Sequence, residues 1–143
     1  LERFATHFNF EPMVFDAADP QGVPIYHTNV LMCIATDFCL VGFDTLTDPQ
    51  RRAEIHARLA QSGREVVALS QAQIAEFAGN AIELSGRDGR LLALSARAEA
   101  CLRPAQKQVI ARYAHTVPLA VPTIEQAGGS VRCMLAGIHL ARR

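Results

Sequence analysis

A cysteine behind a glycine pair is the strongest chemical signal in the sequence. It stands in Gly128-Gly129-Ser130-Val131-Arg132-Cys133-Met134, ahead of Leu135-Ala136-Gly137-Ile138-His139-Leu140. Two glycines beside a serine let the backbone take positive φ and pass close to a ligand. The residues that follow read as a buried strand ending at residue 140, so Cys133 would sit where a loop becomes rigid. A sulfur at such a rim is accessible while its backbone is held, which suits a nucleophile. The competing reading is that a cysteine in an apolar strand is a small buried hydrophobe. A thiol attacks as thiolate and needs a proton carrier beside it, and histidine is the side chain that exchanges protons near neutral pH. His27, in His27-Thr28-Asn29, lies 106 residues upstream of Cys133. His7, His56, His115 and His139 fall on predicted helices or the last strand and take no role.

The elements that would bring the two together form a repeat. Residues 1–8 have helical apolar spacing, and 12–15 read as a short strand. Residues 30–35 and 38–43 read as a hairpin turning at Thr36-Asp37. Asp48 and Pro49 open a helix that Gly63 stops. Residues 65–69 form the next strand, and Ser70 with Gln73 makes a capping box. The pattern then recurs, with strands over 80–84 and 90–94 around Gly86-Arg87-Asp88-Gly89. Pro104 opens a second helix, and 117–121 is the closing strand. Asn29-Val30-Leu31 and Asn80-Ala81-Ile82 are offset by 51 residues. The unit is strand, strand, helix, strand, a period characteristic of propellers and arrays. It divides the chain into 1–25, the end of one unit, then 26–75, 76–122, and 123–143 with the nucleophile loop and last strand. If equivalent strands line one axis, His27, Asn29, Asn80 and Cys133 open them on the same side.

Composition narrows the function. The 143 residues are 50% hydrophobic and 20% charged, with a net charge of +0. That suits a globular fold and argues against nucleic acid as the partner. The apolar runs are too short to span a bilayer, and no signal peptide is visible at the start. Cys33, Cys39, Cys101 and Cys133 form no CxxC pair and have no histidines at zinc-finger spacing, so neither metal nor cofactor is expected. Cys33 and Cys39 flank the first hairpin turn and read as core. Unpaired cysteines fit a reducing, cytoplasmic setting.

Three motifs, Tyr26-His27-Thr28-Asn29-Val30-Leu31-Met32-Cys33, Phe77-Ala78-Gly79-Asn80, and Pro122-Thr123-Ile124-Glu125 followed by Gly128-Gly129-Ser130-Val131-Arg132-Cys133-Met134, occur in that order. Together they resemble the C-terminal half of the citrulline-utilisation hydrolases, arginine deiminase-related proteins of the guanidine-modifying, amidinotransferase-type superfamily. The resemblance implies an α/β fold, part of a five-bladed β/α-propeller, the pentein fold, built from repeated β-β-α-β units. It implies Cys133 as nucleophile and His27 as general acid and base, acting on a ureido or guanidino group, with citrulline ahead of arginine. Asn29 stands where arginine deiminases carry an aspartate. Asn29, Asn80, Gly129, Ser130 and Arg132 would shape the substrate pocket. Asn80 reads equally well as a turn residue, and Arg132 as a rim arginine. The superfamily's further substrate-holding carboxylates belong to the first half of the protein, so this chain alone is expected to be inactive. A second copy or the missing N-terminal half would complete it. The alternatives are a catalytically silent half-propeller serving as a structural or binding module, and a free-standing α/β binding domain.

Overall fold

The structure, a computed structural model, describes residues 1–138. Helix α1 (Glu2–Phe8) ends on Asn9, whose φ of 55° closes it in the left-handed conformation. The strand expected over 12–15 does not form. A strand exists only where a neighbour shares its backbone hydrogen bonds, and among the described residues this stretch has none. Two isolated bridges, Ala17 with Leu46 and Ala18 with Pro24, hold the loop that follows.

A single helical turn, α2 (Thr28–Leu31), precedes β1 (Met32–Ile34). The expected strand therefore begins later than its apolar run. Its ladder reaches only to Met32, which is opposite Val41 on the last residue of β2 (Phe38–Val41). Asp48 then caps α3 (Pro49–Gln61), accepting from the N–H groups of Gln50 and Arg51. The chain returns as β3 (Glu65–Ala68), parallel to β2. Four successive residues of β2 are fully buried, which explains why it reads as a continuous apolar run.

The second unit repeats this order. The Ser70–Gln73 capping box opens α4 (Gln71–Ala75). Strands β4 (Ile82–Ser85) and β5 (Arg90–Ser95) pair antiparallel. Two helices follow, α5 (Ala96–Cys101) and α6 (Pro104–Ala111), and then β6 (His115–Leu119), parallel to β5. Helix α5 carries no apolar periodicity strong enough to announce it. Its signal is the Ser95 hydroxyl, which accepts from the Ala98 N–H. A last turn, α7 (Pro122–Glu125), leads to the glycine pair. The two sheets thus share one topology, antiparallel then parallel. Among the described residues no helix is long and apolar enough to cross a membrane.

Two buried glutamines lock the units together. Gln73 Nε2 donates to Gln106 Oε1 at 2.7 Å and to the Cys101 carbonyl at 2.9 Å, while Gln106 Nε2 donates to the Ala68 carbonyl at 2.7 Å. Both open helices, so the same amides cap a helix and join two repeats. Gly79 allows a second close approach. A Cβ there would stand 2.6 Å from the Val30 carbonyl oxygen, a contact no side chain can make.

Cys33 and Cys39 are buried, as their positions in the hairpin suggest. Burial pushes the Cys33 thiol up to about 12, helped by the Glu83 charge, and burial pushes Cys39 up to about 11, both from an ordinary 9.0. Between those values the unfolded chain ionises and the folded one does not, so stability falls as pH rises. The full contribution is present below pH 9.0 and is lost progressively toward pH 11 to 12. The loss expected is on the order of a few kcal/mol. Thermal melts across this range check it, and Cys33→Ala should flatten the alkaline decline.

Candidate active site

Cys133 is the exposed cysteine of the four, Cys101 being half-buried. It does not lie on a strand. Residues Val131–Met134 form one 3-10 turn, closed by the Cys133 N–H on the Ser130 carbonyl at 3.0 Å. Residues 135–138 have no regular structure, and His139 and Leu140 lie outside the described residues. The turn replaces the expected strand because the backbone bonds of this loop, among the described residues, run to Asn80 and within the turn rather than to a ladder partner. Gly129 packs tightly against the cysteine. A Cβ at Gly129 would meet the Cys133 Cβ at 3.2 Å and Sγ at 3.3 Å.

Asn80 is the centre of the site. It is fully buried, and every polar group of its side chain is used. Its Nδ2 donates to the Asn29 carbonyl at 2.8 Å and to Cys133 Sγ at 3.1 Å. Its Oδ1 accepts from the Ser130 N–H at 3.1 Å. Its own carbonyl accepts from the Arg132 N–H at 3.3 Å. A backbone N–H can only donate, so the Ser130 contact fixes which end of the Asn80 amide faces it. The NH2 end is thereby aimed at the sulfur. The approach to Asn80 is strained, because Phe77, which accepts the Asn80 N–H at 2.9 Å, holds φ 62°. A bulky residue in that region costs roughly 1 to 2 kcal/mol.

Asn29, the equivalent residue of the first repeat, adds a second and longer donor, Nδ2 to Cys133 Sγ at 3.7 Å. Its Oδ1 is buried and has no hydrogen-bond partner. Such an orphaned acceptor costs about 1 to 3 kcal/mol unless a donor reaches it. Ser130 is fully buried, and its hydroxyl donates to Glu125 Oε1 at 2.9 Å. Arg132 is half-buried and joins the cluster through its backbone, while its Nη1 donates to the Leu135 carbonyl at 3.0 Å. The Arg132 guanidinium makes no carboxylate pair among the described residues.

Asn29, Asn80, Gly129, Ser130 and Cys133 are therefore brought together. His27 is adjacent in sequence to this group but not bonded into it. It is exposed, its backbone caps α2, and its ring makes no hydrogen bond among the described residues. Glu125, quoted in the third motif without a role, is the member that sequence reasoning did not single out. Its signal was a carboxylate inside a short turn just before the glycine pair. Chemically, the cluster is an accessible sulfur faced by two amide donors. N–H groups are donors, and a sulfur can accept from them.

Known proteins share this architecture. The apo structure of ArgZ, an arginine dihydrolase from the ornithine-ammonia cycle in cyanobacteria, superposes with a TM-score of 0.70 at 15% identity, covering 92% of this chain and 19% of that one. The product-bound N-terminal domain of ArgZ gives 0.70 at 15% identity over 93% of this chain and 44% of that one. Unliganded AgrE gives 0.61 at 19% identity over 82% of this chain and 15% of that one. The chain thus spans less than half the length of these structures. No curated protein matches it in sequence. The mixed α/β fold with its small repeated sheets is that of the pentein, amidinotransferase-type superfamily. Within that class the chain belongs to the family described as N,N dimethylarginine dimethylhydrolase, eukaryotic, whose model matches residues 1–140.

Proposed function

We propose that the chain carries the nucleophile of a cysteine-dependent C–N hydrolase acting on the ureido or guanidino group of an arginine-like amino acid, with citrulline the favoured substrate. One observation carries the reading: the exposed Cys133 sulfur faces the Asn80 and Asn29 amides, beside the buried, unpartnered Asn29 Oδ1. That oxygen suits an N–H of the substrate head group. A neutral amide fits a neutral ureido group better than a guanidinium, for which an aspartate would supply charge. The cysteine variant of ArgZ bound to substrate is in keeping with a thiol at the reacting centre of that relative.

In the proposed reaction Cys133 Sγ bonds to the ureido carbon, and the carbon–nitrogen bond to the terminal amine breaks. His27 gives that nitrogen its proton, and ammonia leaves. His27 then takes a proton from water, whose oxygen bonds to the same carbon as the carbon–sulfur bond breaks. The resulting carbamate loses carbon dioxide and leaves ornithine. With arginine the first cycle would release ammonia and citrulline. Arg132, Gly129 and Ser130 shape the pocket.

The same reading places residues 26–75 and 76–122 as two blades of a five-bladed propeller. Residues 1–25 would end a third, and 123–143 supply the nucleophile loop. Exposed Phe4 and Phe8 on α1 and Phe10 just past it, the latter two with ring centroids 4.6 and 6.4 Å from that of Phe4, form an apolar face for a neighbouring blade or a second copy. The four free thiols fit a cytoplasmic setting. The alternative, a catalytically silent half-propeller, draws on the exposed His27 ring.

A halo-amidine probe separates the readings. It should label Cys133 faster than half-buried Cys101, and the protein completed by its remaining blades should release ammonia from citrulline. Labelling of Cys133 no faster than of Cys101, with neither citrulline nor arginine consumed, would leave the scaffold reading standing.

A further inference from the structure

Glu125 is a buried carboxylate, 9% exposed, and its Oε1 accepts the Ser130 hydroxyl at 2.9 Å. It lines a surface cavity together with Arg97 and Pro122, and no lysine or arginine salt bridge holds it among the described residues. A buried carboxylate is costly unless something in the fold needs it. Ser130 precedes the 3-10 turn and closes it, its carbonyl accepting from the Cys133 N–H at 3.0 Å. The same Ser130 offers its N–H to Asn80 Oδ1 at 3.1 Å, and Asn80 Nδ2 reaches Cys133 Sγ at 3.1 Å. Fixing the Ser130 side chain therefore fixes two things at once. It sets where the cysteine-bearing turn starts, and it sets which end of the Asn80 amide faces the sulfur.

We infer that Glu125 is a positioning residue for Cys133, acting through Ser130 and Asn80. The role deepens the proposed hydrolase reading and rests on Cys133 being its nucleophile. The carboxylate serves as a hydrogen-bond acceptor and moves no proton. An amide oxygen in its place would accept the same hydroxyl. Without an acceptor, the Ser130 hydroxyl seeks another partner and the turn loses its register against Asn80.

Alkylation of Cys133 by iodoacetamide tests this without any substrate, with Cys101 in the same molecule as the reference. Glu125→Ala should slow Cys133 alkylation about tenfold, while Glu125→Gln stays within about twofold of the parent. Ser130→Ala should match Glu125→Ala, and the double variant should be no slower than either, because both remove one contact. Continued protection of Cys33 and Cys39 reports that each variant is folded. Should Glu125→Ala fail that control, Ser130→Ala and Glu125→Gln carry the test. In the completed enzyme the loss should fall on kcat, with KM within about twofold. Parent-like alkylation in Glu125→Ala and Ser130→Ala overturns the inference, and so does Glu125→Gln as slow as Glu125→Ala, which would make charge the active property. Absence of turnover in the parent would sink the hydrolase reading and leave the alkylation result to decide the positioning role.

Discussion

Under the proposed function, Cys133→Ala should abolish turnover in the protein completed by its remaining blades, by at least about 10⁴-fold, while leaving the fold intact. Under the proposed function the large effect follows from losing the atom assigned to the covalent adduct, since the remaining groups can only bind and polarise. The small structural effect follows from the site's geometry. Cys133 is exposed, and Asn80 Nδ2 keeps its bond to the Asn29 carbonyl at 2.8 Å when the sulfur is gone. A change in stability within about 1 kcal/mol is expected, as for other exposed positions. Thermal melts and ammonia release measured on one preparation check both halves. Cys133→Ser should behave alike, because a hydroxyl of the same shape is far less ionised near neutral pH. Measurable steady-state turnover in Cys133→Ala would remove Cys133 from the mechanism.

Asn80→Asp should damage both stability and chemistry, for reasons that can be separated. The aspartate keeps an acceptor for the Ser130 N–H, but it has no donor for the Asn29 carbonyl or for Cys133 Sγ. It instead sets a carboxylate oxygen where Nδ2 now lies, 2.8 Å from a carbonyl oxygen and 3.1 Å from the sulfur. A buried charge with one N–H donor and no cation beside it costs about 3 kcal/mol or more. Rate losses on the order of 10² to 10³ are expected, comparable to removing one donor from an anion-stabilising site. The pH dependence distinguishes charge from simple disruption. A protonated aspartate regains one donor, so the stability deficit of Asn80→Asp relative to the parent should shrink as pH falls. Asn80→Ala carries no charge, and its deficit should not change in that way. Melting temperatures of both variants over a pH series provide the comparison.

Much of the framework was legible because it is local. Asp48 caps α3, Ser70 with Gln73 forms a capping box, and Gly86 to Gly89 turns the second hairpin; each signal spans a few residues and is settled by neighbours along the chain. The repeat was legible for the same reason, being a sum of such signals twice over. The two misplaced strands show the limit. Residues 12–15 have the composition of a strand but no ladder partner among the described residues, and residues 131–134 follow a glycine pair into a 3-10 turn. A strand is a property of two segments, and periodicity in one cannot supply the other.

The site divides along the same line. By itself the sequence determined that a cysteine follows two glycines, that histidine and asparagine open the first repeat, and that an asparagine opens the second at an offset of 51. Those residue types limit the chemistry to a thiol, a proton carrier and neutral amides. Only the tertiary structure decided what they do to one another. It made Asn80 a hub as well as a turn residue, left the His27 ring outside the hydrogen-bonded cluster, and brought in Glu125 through Ser130. The contacts of Asn80 with Asn29 and Cys133 each cross more than fifty residues of chain. Hydrogen bonds of that span depend on the packing of whole repeats, which no local pattern encodes.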